Sequence, residues 1–139
     1  MEVTGRNGSV YFIDSYIHND FEEIQKLNKN EGWDTLAKNR KKTKTAWDNS
    51  SIAFTVKTQG NDLVGYVRGH TDTAVSLFIC ELLIDVNYRG LGLGTKLLQF
   101  VHALYPETRV ELLATRDSRA YYENAGYRPF YGFRKTYDE

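Results

Sequence analysis

The most apolar stretch of the chain, Val75 to Ile84, ends at Asp85. After a short loop the sequence reads Arg89-Gly90-Leu91-Gly92-Leu93-Gly94-Thr95, and an amphipathic segment follows. A strand running into a glycine-rich turn and then a helix is a strong constraint on the local fold. It gathers the unpaired amides of a helix start at one point, where the helix dipole adds positive potential. Glycine lets the backbone approach a ligand closely and adopt positive φ. Such a turn suits an anion, a pyrophosphate above all.

The spacing narrows the guest. Gly90, Gly92 and Gly94 run G-x-G-x-G, whereas a dinucleotide turn needs G-x-G-x-x-G and lies early in a βαβ unit. A Walker turn needs Gly-Lys-Ser/Thr after its first glycine, and none is present. A nucleotide-binding reading is therefore disfavoured.

The other elements follow from periodicity and turn chemistry. Val10 to Tyr16 reads as a strand. Asn19 or Asp20 caps a helix with Glu22 and Glu23 in its first turn, a buried stripe of Phe21, Ile24 and Leu27, and a break at Gly32. Thr35 to Trp47 reads as a basic helix whose Lys38, Arg40, Lys41, Lys42 and Lys44 form a solvated face. Ile52, Phe54 and Val56 alternate as in a half-buried strand, Gln59 to Asp62 turns, and Leu63 to Arg68 returns. Val75 to Ile84 is a central strand. Thr95 to Tyr105 is a helix with Leu97, Val101 and Leu104 on one face, ended by Pro106. Val110 to Ala114 is a strand, and a short helix capped by Asp117 or Ser118 stops at Gly126. Tyr127 to Phe130 and Phe133 to Tyr137 close the chain as two strands, with Pro129 at an edge or bulge. The sum is a single mixed α/β (α+β) domain over residues 1–139. Its sheet is mostly antiparallel, with six to seven strands flanked by four helices.

Composition excludes several functions. Eighteen basic and eighteen acidic side chains give a net charge of zero, so no overall field recruits nucleic acid or an anionic membrane. No stretch reaches the roughly 20 apolar residues of a membrane helix, and no signal peptide is visible, which points to the cytoplasm. Cys80 is the single cysteine and reads as a small core residue. No cluster of His, Cys and carboxylates has metal-ligand spacing.

Two motifs carry a resemblance. Arg89 to Gly94 fits the Gln/Arg-x-x-Gly-x-Gly/Ala pattern of the GNAT superfamily of N-acetyltransferases, and Leu83 to Tyr88 resembles the strand end and loop before it. Tyr121-Tyr122-Glu123-Asn124-Ala125-Gly126-Tyr127 resembles the family's aromatic-Tyr-Glu-x-x-Gly-aromatic signature. The resemblance covers roughly Val75 to Tyr127. Val86 departs from it, because proline is common at that position.

The resemblance implies acetyl-CoA as co-substrate, no metal, and a primary amine of a small molecule or peptide as acceptor. The pyrophosphate would rest on the amides of Arg89, Gly90, Leu91, Gly92, Leu93, Gly94 and Thr95. The pantetheine arm would pair with the strand at Leu83, Ile84, Asp85 and Val86. A backbone amide at Leu83 or Ile84 would face the oxyanion, and Tyr122 would protonate the leaving sulfur or hydrogen-bond it. A homodimer is compatible with this reading.

Glu81 is the candidate base. A carboxylate embedded in Leu77 to Ile84 either faces a wet cleft or pairs with a cation. Many family members carry their glutamate at the position of Phe78, and a shift of three reverses the face of a regular strand unless a bulge intervenes. His70 is the alternative base; His18 and His102 read as ordinary residues. The rival to an enzyme is a CoA-binding module without turnover.

Overall fold

The computed structural model describes residues 1–139. Six strands form one sheet in the order β1-β2-β3-β4-β5-β6: Glu2–Thr4, Val10–Ser15, Ile52–Thr58, Leu63–Thr71, Ser76–Ile84 and Arg109–Leu112. Neighbours are antiparallel except for the β5–β6 pair, which is parallel. The five helices are α1 (Phe21–Glu31), α2 (Asp34–Lys38), α3 (Arg40–Asp48), α4 (Leu93–Leu104) and α5 (Arg119–Asn124). The mixed, mostly antiparallel sheet agrees with the sequence expectation.

Each face of the sheet buries one cluster. On one side Leu93, Leu97, Leu98 and Val101 of α4 pack on Ile13, Ile52, Val67, Leu77 and Ile79. On the other, Phe21, Ile24 and Leu27 of α1 and Trp47 of α3 pack on Tyr66 and Leu83. At roughly 25 cal/mol per Å² of apolar surface, this two-sided burial is the main favourable term holding the helices to the sheet. A buried polar chain also ties α1 to β4 and α2. The Tyr66 hydroxyl donates to Asn28, Asn28 donates to Gln25 at 2.8 Å, and Gln25 donates to the Leu36 carbonyl at 3.0 Å. Gly32 ends α1 at φ +82°, in the left-handed region that glycine adopts without strain.

Several expectations are corrected. Glu2–Thr4 forms a strand paired to β2, from a segment too short to show a pattern. The basic segment after Thr35 is two helices rather than one, because Asn39 leaves helical geometry at ψ 62°. Leu104 is exposed, and the buried stripe of α4 begins at Leu93 instead. Cys80 is half-buried. The two C-terminal strands do not form. From Arg128 to Glu139 the sole backbone hydrogen bond that a residue donates is Glu139 to Thr136, and Phe130 and Tyr131 are 78% and 97% exposed. Aromatic residues favour strands only where an edge accepts them. Here β6 ends at Leu112, Pro129 lacks an amide, and Gly132 packs on the side chain of Leu113.

Candidate active site

β5 and β6 pair only from Ser76 to Ile79, against Arg109 to Leu112. From Cys80 to Ile84 the outer edge of β5 carries no partner strand. Its inner edge stays paired with β4, from Gly65–Ile84 to Thr71–Leu77. The Asp85 amide donates to the Val64 carbonyl at 2.8 Å. Alternation along a strand then turns the Leu83 amide toward β4 and the Ile84 amide toward the open edge.

The glycine turn lies at the end of that edge. Gly90 and Gly92 have φ +77° and +83°, and α4 starts at Leu93. The amides of Leu91, Gly92, Leu93, Gly94 and Thr95 donate to no protein acceptor; the first bond into α4 runs from Lys96 to the Gly92 carbonyl at 3.1 Å. These consecutive free donors at a helix start form an anion cradle. A side-chain carbon at Gly90 would have no neighbour within 4 Å, so the turn is open on that side. The cradle therefore fits a pyrophosphate.

Arg89 points elsewhere. Its Nε donates to the Ile84 carbonyl at 2.9 Å, and Nη2 bonds Glu31 at the end of α1. Asp85 caps the 3-10 turn at Val86–Tyr88 by accepting from the Asn87 amide at 2.8 Å, and Val86 is exposed. Sequence reasoning missed Arg6. The β1–β2 hairpin brings its amide to the Leu91 carbonyl at 3.0 Å and its Nη1 to the Gly90 carbonyl at 3.3 Å. No local pattern marks it, since the contact spans 84 positions.

Glu81 and Phe78 share a face of β5. Arg68 pairs with Glu81 and Gly69 with Ile79, so Cys80 is a bulge residue. Leu77 and Ile79 face α4 before the bulge, and Leu82 and Ile84 do so after it. Phe78, Glu81 and Leu83 thus look toward α1 to α3. Of its two sequence-stated options, Glu81 takes the cation. Arg68 Nε reaches Oε1 at 2.7 Å and Nη2 reaches Oε2 at 2.6 Å, while Nη1 reaches Ser50 at 3.2 Å. Both side chains are largely buried, at 12% and 15% exposure. His70 stands opposite Phe78 on β4 and is exposed.

α5 carries both motif tyrosines. The Tyr121 hydroxyl lies 3.0 Å from the Thr95 hydroxyl, and a side-chain carbon on Gly94 would come within 2.8 Å of it. Gly94 thus leaves room for the Tyr121 hydroxyl where α5 meets the start of α4. Tyr122 is half-buried in the cluster that includes Leu82 and Ile84, flanked by the rings of Tyr121 and Tyr127 at 5.1 and 5.7 Å. Burial, with smaller effects from Tyr121 and Tyr127, pushes its phenol up to about 12. The ring is thus held in its neutral, proton-donating form. Gly126 closes α5 at φ +93°, as its C′ position requires.

Residues 18–127 match the acetyltransferase (GNAT) family. The chain belongs to the GNAT acetyltransferases. It is 29% identical over 114 residues to an uncharacterized N-acetyltransferase, ycf52, of Pyropia yezoensis and 30% identical over 115 residues to that of Porphyra purpurea. Each match covers 76% of this chain and 63% of the relative, so the chain spans less than two thirds of those proteins. A GNAT-family acetyltransferase structure from Streptococcus pneumoniae superposes with a TM-score of 0.74 at 19% identity, covering 93% of this chain and 98% of that one. This likeness is one of fold. Within the GNAT frame, the open β5 edge leads to the cradle, and Tyr122 packs in the cluster that holds Leu82 and Ile84 of that strand.

Other surfaces of the chain contribute less. A groove of about 640 Å³ between the start of α1 and α3 is lined by His18, Glu22, Arg40, Lys41 and Lys44 and touches no residue of the glycine turn. Two of its cations are neutralised, Arg40 by Glu22 and Lys44 by Asp48. No three His, Cys, Asp or Glu side chains gather as a metal site. No helix is long and apolar enough to cross a membrane.

Proposed function

We propose that the protein transfers an acetyl group from acetyl-CoA to a primary amine of a small molecule or peptide. The observation that carries this reading is the run of free amides from Leu91 to Thr95 at the end of the unpaired β5 edge. When bound, the co-substrate supplies an activated thioester carbonyl. The cradle holds the pyrophosphate, with Arg89 and Gly90 framing the turn. The open edge from Leu83 to Ile84 takes the pantetheine arm as an added strand, continuing past Asp85 and Val86 at the rim.

The Ile84 amide faces the open edge and is the donor assigned to the carbonyl oxygen as negative charge builds there. The Ile84 carbonyl accepts from Arg89, which holds the following peptide, Ile84–Asp85, at the end of the edge. Tyr122 gives its proton to the departing sulfur. A phenol raised by burial stays protonated at neutral pH, so its O–H is available to the sulfur while negative charge builds there.

Glu81 is assigned the amine's proton. Arg68 occupies one lone-pair site on each carboxylate oxygen and leaves the others for a water bridging to the amine. The neutral acceptor amine attacks, its nitrogen–carbon bond forms, and the carbon–sulfur bond breaks.

The alternative is a CoA-binding module without turnover. Thiol release from acetyl-CoA across a panel of amines separates the two. Release with at least one amine supports the enzyme; tight CoA binding with no release on any amine supports the module.

A further inference from the structure

We propose that Arg6, on the β1–β2 hairpin, is a phosphate ligand of the acyl-thioester site. Its guanidinium stands beside the free amides of the glycine turn and takes one phosphate group of the co-substrate. This rests on the reading that the turn holds acetyl-CoA.

The position of Arg6 is built. Its Nε lies 3.7 Å from the point where a side-chain carbon on Gly92 would sit. Its backbone amide is fixed on the Leu91 carbonyl at 3.0 Å. The hairpin behind it is held from within. Gly5 donates to the Ser9 carbonyl and Gly8 to the Gly5 carbonyl, both at 2.9 Å. Asn7 accepts from the Ser9 amide at 3.1 Å and donates to the Tyr11 hydroxyl at 3.1 Å. The Tyr11 ring meets Tyr88 edge-on at 6.2 Å, joining the hairpin to the loop that enters the glycine turn. The backbone that carries Arg6 is thus fixed beside the turn, and only its side chain is left to order on binding.

The chemistry is also available. A guanidinium has five N–H donors in a planar fork, and one of them is committed, by a long contact of 3.3 Å to the Gly90 carbonyl. Arg6 makes no ion pair, whereas Arg89, the arginine of the motif itself, is spent on Ile84 and Glu31. Backbone amides donate to phosphate oxygens but carry only partial charge. A free guanidinium beside them adds the full cation and a bidentate option.

The competing role for Arg6 is a strap that merely holds the turn through Gly90. Titration calorimetry on the full chain with CoA, dephospho-CoA and pantetheine separates the two. As a phosphate ligand, Arg6→Ala weakens CoA about ten-fold, weakens pantetheine less than two-fold, and Arg6→Lys recovers part of the loss. A loss seen with CoA but not with dephospho-CoA assigns the 3′-phosphate; an equal loss with both assigns the pyrophosphate. An equal loss with all three ligands overturns the proposal in favour of a strap, and no loss with any also overturns it. If the wild-type chain binds pantetheine as tightly as CoA, the cradle reading itself fails.

Discussion

Arg68 and Glu81 face each other across β4 and β5 and join through two charge-assisted hydrogen bonds of 2.7 and 2.6 Å, just beyond a bulge at Cys80. Removing the arginine leaves a largely buried carboxylate without its cation. Arg68→Met is expected to cost about 2 kcal/mol, below the usual figure for a fully buried pair because some solvent reaches both groups. Urea denaturation would check it. A loss no larger than that of an exposed surface substitution would mean that solvent already screens the pair.

Gly69 sits on the other side of the same bulge. A side-chain carbon there would lie 2.2 Å from the Phe78 carbonyl oxygen, a backbone atom that cannot rotate away. Gly69→Ala is therefore expected to force β4 and β5 apart and lower the melting temperature by several degrees, at about 1–3 kcal/mol for such crowding. A melting curve that overlays the wild type would show that the bulge accommodates the methyl.

Tyr122→Phe removes a hydroxyl and keeps the ring, so packing within the tyrosine cluster survives. Turnover is expected to fall by about a hundred-fold or more, as for loss of a general acid, with CoA affinity changing far less. Steady-state kinetics paired with calorimetry would test this. Equal loss in both quantities would reassign Tyr122 to structure.

The same phenol predicts a pH effect on stability. Its pKa is raised on folding, from the ordinary phenol value of 10.0 to about 12. Above the unfolded value the unfolded chain has released this proton while the native protein still holds it, so stability falls as pH rises. The contribution is fully present below pH 10 and is lost as pH climbs toward about 12. Melting temperatures across that range should decline less steeply for Tyr122→Phe than for the wild type. Parallel curves would show that other groups control the alkaline limb.

At Gly92 the backbone is left-handed, at φ +83°. A valine there is strained by about 1–3 kcal/mol, and its side-chain carbon would sit 3.7 Å from the Arg6 Nε, where the anion is expected to approach. Gly92→Val should weaken CoA binding at least ten-fold in a direct titration. An unaltered dissociation constant would remove the cradle from this turn.

Much of the site is readable from the chain because it is local. Leu91 to Thr95 follow one another, and a strand, two left-handed glycines and a helix start bring their amides together without help from elsewhere. Tyr122 and Gly126 are similarly marked by a short motif around one helix. The long strand, α1 with its Phe21, Ile24 and Leu27 stripe, and α4 are legible because their apolar period matches their geometry. The absence of the two C-terminal strands is not legible in the chain, because strand preference does not say whether a segment docks on an edge.

The sequence by itself determined α1, α4, the strands from Val10 to Ile84, the glycine turn and the family, all of which depend on residues close together in the chain. The tertiary structure alone decided that a bulge at Cys80 turns Glu81 to the face of Phe78, where Arg68 holds it. It alone decided that Arg89 leaves the turn for Glu31, and that Arg6 arrives from 84 positions away. These placements depend on register, hairpin docking and helix packing between distant segments, and no periodicity within one segment encodes them.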